Sequence, residues 1–267
     1  MRRGESRVEG AAARVLDRFS LRGKTAVVVG GTRGLGQAMA LALAGAGADV
    51  CVVGRGPEGL EETAGMLSAL GSDAASISAD ATREEQVVSM VEEAHERYGK
   101  VDVLVNSQGT VHLEPSESFS TKEWERVMDV NVRSVFLCCK HVGRRMLERS
   151  YGKIINVSSV RGFQGRGQDP AYAPSKGAVN QLTRSLAIEW GPKGINVNGI
   201  APVFTLTKIS EAFIRDPAKR DWVLGRIPMN RLGELEDLMG PVVFLASDAS
   251  GFVNGHVLPV DGGWLCA

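Results

Sequence analysis

A doubly wound α/β Rossmann fold, with about seven parallel strands and helices on both faces, is predicted by three observations. Short apolar runs rich in β-branched residues alternate with single helical stretches along the chain. The first such run ends in a glycine-rich loop that leads straight into a helix. The 267 residues contain no midpoint linker, low-complexity tract or short-period repeat. Strands joined by single helices pair in parallel, and a parallel sheet needs both faces covered.

Residues 1–20 stand apart from this pattern. Arg2, Arg3, Arg7, Arg14 and Arg18 alternate with Glu5, Glu9 and Asp17 without an apolar core. They read as a flexible tail or loose surface helix, not a secretory signal. One domain is expected over 21–267. Residues 25–29 form a buried strand, and 34–44 an alanine- and leucine-rich helix closed by Gly45 and Gly47. A second buried strand covers 49–53. A helix over 58–70 is stopped by Gly71. A weaker strand follows at 74–78. Thr82, with Glu85 three residues on, predicts a capping box opening a helix that runs to Tyr98. A fourth strand covers 101–105. The alternation continues with a long helix at 122–148, a strand at 153–157, a helix at 172–190 and a strand at 195–200. Residues 207–228 are polar, include Pro217 and Pro228, and read as an irregular insert with helical pieces, placed to act as a substrate lid. A helix at 236–246 and a strand at 257–260 close the fold.

Composition narrows the function. Lysine plus arginine and aspartate plus glutamate both count 31, which gives no electrostatic footprint for nucleic acid or an anionic membrane. No apolar run approaches the roughly 20 residues of a membrane span. Cys51, Cys138, Cys139 and Cys266 show no paired spacing and read as free thiols of a cytoplasmic protein. His95, His112, His141 and His256 are scattered, so no metal site is expected.

The cofactor end is the loop Gly30-Gly31-Thr32-Arg33-Gly34-Leu35-Gly36. Glycines 30, 34 and 36 allow a tight turn, close approach of a pyrophosphate and close helix–strand packing. The helix that follows offers free N–H groups and a positive dipole end to phosphate. A glycine turn without a ligand is the alternative. About 20 residues beyond, where NAD sites carry a carboxylate, stands Gly54 followed by Arg55. With Arg33 this supplies two guanidinium groups and no carboxylate, which favours NADP(H), with NAD(H) possible. Solvated arginines are the competing account. Asp80, followed by Ala81, ends the third strand and is placed either to bond an adenine amino group or to cap a helix.

The chemical end begins at Ser158-Ser159, at the carboxyl end of the fifth strand, where ligands of doubly wound sheets bind. Tyr172 opens the next helix, and Lys176, four residues on, shares its face. A neighbouring ammonium supplies part, and the positive nicotinamide of an oxidised cofactor more, of the stabilisation expected to bring Tyr172 toward neutral titration. Tyr172 then serves as general acid and base, with Ser159 orienting the substrate oxygen. A surface Tyr–Lys pair is the commoner origin of this spacing alone. Asn131 sits inside the long helix, where it either holds a relay water to Lys176 or is a satisfied structural residue.

Together these residues resemble the short-chain dehydrogenase/reductase family in its single-domain form, from about residue 20 onward. Gly30, Gly34 and Gly36 match the family's cofactor loop, in which Thr32, Arg33 and Leu35 also lie. Asn106 and Gly109 match the loop after the fourth strand, and Asn131, Ser159, Tyr172 and Lys176 the catalytic tetrad. Pro202, Val203 and Thr207 fall on the segment that contacts the nicotinamide carboxamide, and 260–263 on the closing strand. The resemblance implies a homotetramer packed through 122–148 and 172–190. Val29, Ser107-Gln108 and Val203 depart from the family pattern, and the last two sites are expected to line the cleft and either narrow the nicotinamide pocket or alter its hydrogen bonds. Phe163-Gln164-Gly165, Arg226-Ile227-Pro228 and 261–264 are similar to gluconate 5-dehydrogenases and 2-deoxy-gluconate 3-dehydrogenases. That implies a sugar acid or polyol substrate, which polar His112, Arg161, Gln164 and Gln168 would suit. Two other readings stay open. One is a 3-oxoacyl-carrier-protein reductase using Arg144, Arg145, Arg149, Arg161 and Arg166 as a docking patch. The other is a dinucleotide-sensing protein without turnover.

Overall fold

The order of strands across the sheet is β3-β2-β1-β4-β5-β6-β7, every neighbouring pair parallel. The strands are β1 (Thr25–Val29), β2 (Asp49–Gly54), β3 (Ala74–Ser78), β4 (Val103–Asn106), β5 (Gly152–Val157), β6 (Ile195–Pro202) and β7 (Val257–Val260). This computed structural model describes residues 10, 12–207, 211 and 214–267. Its seven parallel strands, with helices on both faces, make it the Rossmann-type fold that the alternation predicts.

Side chains alternate across the sheet with period two. Val27, Val29, Cys51, Val53 and Leu104 face one way, into a core completed by α3 (Glu84–Tyr98), α5 (Ser134–Glu148) and α6 (Tyr172–Trp190). Ala26, Val28, Val50, Val52, Val103 and Val105 face the other, against α1 (Gly34–Gly45), α2 (Pro57–Ala69) and α8 (Met239–Ala246). A third, smaller cluster gathers Val160, Val203, Val223, Ile227 and Trp264 around α7 (Pro217–Leu224) in the insert. Residues 208–210, 212 and 213 of the expected lid lie outside the described residues.

Two local expectations need correction. Arg33 and Arg83 precede α1 and α3 without any side-chain cap, so Thr82 does not open a capping box. Asp80 is the reason. Its Oδ1 accepts from both the Thr82 N–H (3.0 Å) and the Thr82 hydroxyl (2.8 Å), which turns the chain before the helix begins. The expected continuous helix at 122–148 is broken. α4 (Thr121–Met128) passes into a π turn at Asp129–Arg133 before α5 starts.

At the amino-terminal edge of the sheet, Asp102 is buried. It accepts from the Thr25 N–H (3.0 Å) and from Arg149 Nη2 (2.7 Å), and pairs with Lys100 Nζ (3.0 Å). Burial pushes its carboxyl up, but these donors outweigh burial and hold it below the usual carboxylate range. Arg18, near the end of the expected tail, donates to the Asp248 carbonyl (2.7 Å), and the Phe19 ring lies 6.2 Å from that of Phe244. Residues 1–9 and 11 lie outside the described residues. Among the described residues no helix is long and apolar enough to cross a membrane.

Candidate active site

The carboxyl ends of β1, β4 and β5 meet at one edge of the sheet, and the candidate residues gather there. The loop after β1 is built on absent side chains. A β-carbon on Gly36 would stand 2.1 Å from the Gly30 carbonyl oxygen, and Gly30 holds φ at +78°. α6 is capped by Asp169 and α4 by Ser120, but the first N–H groups of α1 receive no side chain. Bare backbone at an uncapped helix start fits the pyrophosphate of a dinucleotide. Thr207 lies across this loop, its methyl 3.6 Å from where a Gly34 β-carbon would sit. Thr32 packs into the gaps left by Gly54 and Gly59. Leu35 packs against the core beneath.

Arg33 and Arg55 are both exposed. Arg55 borders a cleft of about 340 Å³ shared with Asp80, Thr82, Lys122 and Arg126. The Asp80 carboxyl is pushed up by burial, but the Thr82 hydrogen bonds and the Arg55 and Arg83 charges leave it below its ordinary value. An ionised acceptor beside an arginine is suited to an adenosine end.

Side-chain direction limits how several of the expected residues could meet a cofactor. Asn106 is fully buried, and its amide donates inward to Asn156 Oδ1 (2.9 Å) and toward Cys139 Sγ (3.3 Å), so only its backbone borders the site. Ala81 packs into the core. Gln108 Nε2 turns toward α5 and donates to Ser134 Oγ (3.0 Å). Val203 packs with Ile227, Val223 and Trp264, anchoring the insert. Pro202 closes β6 in register with Val260.

α6 carries the chemistry. Asp169 Oδ1 accepts from the Tyr172 (2.9 Å) and Ala173 (3.1 Å) N–H groups and fixes the start of the helix. Sequence reasoning missed Asp169, although an aspartate three residues before a helical tyrosine is a cap signal. Lys176 Nζ donates to the Val157 carbonyl (2.8 Å) and lies 5.8 Å from the Tyr172 ring centre. Burial lowers this amine to about 8. Burial also pushes the Tyr172 phenol up, the Ser159 hydroxyl and the Arg161 charge pull it down, and Asp169 pushes it up again. The protein alone therefore leaves the phenol above its ordinary value, and the expected shift toward neutrality rests on the positive nicotinamide as well as on Lys176. Desolvation of the phenolate outweighs the neighbouring charges. Ser159 Oγ accepts from the Arg161 N–H (3.1 Å) at the end of β5.

Asn131 is buried in the π turn. Its Oδ1 accepts from the Thr110 N–H (2.8 Å), and its Nδ2 donates to the Thr110 carbonyl (2.9 Å) and to Ser175 Oγ (2.9 Å). Ser175 in turn donates to the Tyr172 carbonyl (2.6 Å). The amide is thus a clamp between the loop after β4 and the helix of Tyr172. A β-carbon on Gly109 would stand 3.6 Å from both Asn131 Oδ1 and Lys176 Nζ, which brings that loop against the pair. The proposed carrier-protein patch is not assembled. Arg149 pairs with Asp102 at the opposite end of the sheet, while Arg161 is buried at the site end.

A seven-stranded parallel sheet with a glycine loop after β1 and a Ser–Tyr–Lys set after β5 defines a dinucleotide-dependent oxidoreductase. A family model described as Enoyl-(Acyl carrier protein) reductase matches residues 29–265. The chain belongs to this short-chain dehydrogenase/reductase family and is a dehydrogenase/reductase acting on CH–OH groups. It is similar to 2-dehydro-3-deoxy-D-gluconate 5-dehydrogenase of Bacillus subtilis (strain 168), 43% identical over 249 residues, covering 93% of this chain and 97% of that one. Gluconate 5-dehydrogenase of Gluconobacter oxydans (strain 621H) is 40% identical over 247 residues, with coverage of 92% and 96%. The structure of a gluconate 5-dehydrogenase from Burkholderia cenocepacia J2315, in complex with NADP and tartrate, superposes with a TM-score of 0.92 at 38% identity, covering 95% and 99%.

Proposed function

We propose that this enzyme interconverts a secondary alcohol and a ketone on a sugar acid or polyol, prefers NADP(H) over NAD(H), and uses Tyr172 as general acid and base. The observation that carries the reading is the convergence of Ser159, Tyr172 and Lys176 beside the glycine loop, in a chain whose relatives are named as sugar-acid dehydrogenases. The bound dinucleotide supplies the hydride acceptor or donor. Ser159 holds the substrate oxygen, and the Tyr172 phenol moves the proton at that oxygen. Lys176, already near neutral titration, shifts charge with little cost as the phenol ionises.

Purified protein assayed with NADP(H) and NAD(H) against sugar acids, polyols, cyclic ketones and acyl thioesters tests the substrate class. Turnover confined to acyl thioesters would replace this reading with the acyl-carrier one. Arg55 and Arg33 support the cofactor preference by offering charge to a 2′-phosphate. Arg55→Asp is expected to raise the Kd for NADP(H) about 100-fold and leave NAD(H) far less affected. Equal weakening of both contradicts the assignment, and fluorescence titration reads it directly.

A cytoplasmic homotetramer is proposed as well, assembled through α5 and α6. Phe136 on α5 is 45% exposed and borders a groove that also includes Leu147, Leu186 and Trp190. A large apolar side chain left this open is more stable against a second copy of the same helices. Phe136→Glu is expected to shift the mass measured by light scattering to a smaller species. An unchanged mass rejects this interface.

A further inference from the structure

Arg161 is buried to 8% exposure, yet it has no carboxylate within salt-bridge distance among the described residues. Its Nη1 donates to the Gly165 carbonyl (3.3 Å), and its Nη2 has no hydrogen-bond partner. A buried guanidinium with an unsatisfied face is costly, and such groups in native proteins are normally paired. The surroundings add positive charge instead of removing it. Arg161 lies 5.3 Å from the Trp264 ring centre, and Arg226 lies 5.5 Å from the same ring and 5.1 Å from that of Trp222. The Arg166 and Arg226 charges oppose that of Arg161. Asp169 is the nearby carboxylate, and its Oδ1 is occupied as the cap of α6. Its Oδ2 is buried and unbonded.

The position suits a ligand. Arg161 is two residues beyond Ser159, and its backbone N–H donates to the Ser159 hydroxyl. Its charge reaches the Tyr172 phenol. Trp264 forms one wall and is itself held by Gln164, whose Oε1 accepts from the indole N–H (3.0 Å). A planar guanidinium with a free edge matches a carboxylate in a fork geometry.

We propose that Arg161, backed by Trp264 and reinforced by Arg226, is the anchor for the substrate's carboxylate and selects acids over the corresponding neutral polyols. This deepens the sugar-acid reading above and rests on it. The competing account is structural: Arg161 Nη2 would swing to Asp169 Oδ2 and serve only to hold the loop before α6.

The two are separated by calorimetric titration of D-gluconate and of D-glucitol into the enzyme saturated with NADPH. The two ligands differ at C1, carboxylate against hydroxymethyl. The wild type is expected to bind gluconate more tightly, and Arg161→Gln to lose about 30-fold in gluconate affinity with glucitol little changed. Arg161→Lys, which keeps the charge without the fork, is expected to lose about 5-fold, and it carries the test if Arg161→Gln does not fold. Equal binding of both ligands by the wild type, binding of neither, or a gluconate preference that survives in the variants would overturn the anchor. A wild type that prefers gluconate through Arg161 but oxidises no sugar acid keeps the anchor and sinks the proposed reaction. One that oxidises gluconate without needing Arg161 does the reverse.

Discussion

Tyr172→Phe is expected to lower kcat on the best substrate by about 10³-fold while dinucleotide binding and thermal stability persist. The ring is kept, so packing against α6 and the Lys176 ammonium is preserved. What disappears is the hydroxyl that trades the proton. Its titration should appear in the wild-type pH profile of kcat. Because burial raises the phenol in the protein alone, the apparent value in that profile is expected below the value for dinucleotide-free enzyme, measured by ultraviolet difference titration. Equal values would mean that the bound cofactor does not assist ionisation. A Tyr172→Phe enzyme indistinguishable from wild type would restore the sensing reading.

Asp102→Ala is expected to cost about 2 kcal/mol, since it leaves the buried Thr25 N–H without its acceptor, while the partly exposed Arg149 and Lys100 charges return to water at little cost. For a chain of this size that corresponds to roughly 5 °C in Tm by calorimetry. The sign with pH follows from the depressed carboxyl. The contribution is complete above about pH 4, the ordinary range of an aspartate, and fades as the pH falls through the lower folded value. Wild type and Asp102→Ala should therefore converge in stability on acidification. A constant gap down to pH 2 would remove ionisation from the explanation.

The strands, the glycine loop and the Tyr–Lys spacing were legible because each rests on a constraint local in sequence. A β-carbon at Gly36 collides within its own turn, and residues four apart on α6 share a face whatever surrounds them. Direction was not legible where it depends on distant partners. Gln108 turns to Ser134, and Asn106 to Asn156, fifty residues away. Val203 faces an insert whose course no periodicity sets. The phenol's burial was not legible for a related reason: the amine is visible in the sequence, whereas the depth of burial is a property of the assembled fold.

The π turn at Asp129–Arg133 also has a bearing on alignment and deletion. It places one residue more between α4 and α5 than an unbroken helix would hold. The wider turn absorbs that residue, so removing one residue there would return the segment to a regular α-helix and leave α4 and α5 close to their present phase. Cys138, Cys139, Val142 and Met146 would still face the core, while the local geometry that aims the Asn131 amide at Thr110 and Ser175 would be lost. The extra residue is thus spent on aiming one side chain and not on joining two helices. A single-residue deletion beside Asn131 is expected to keep the fold and to lose the amide clamp, as Asn131→Ala does.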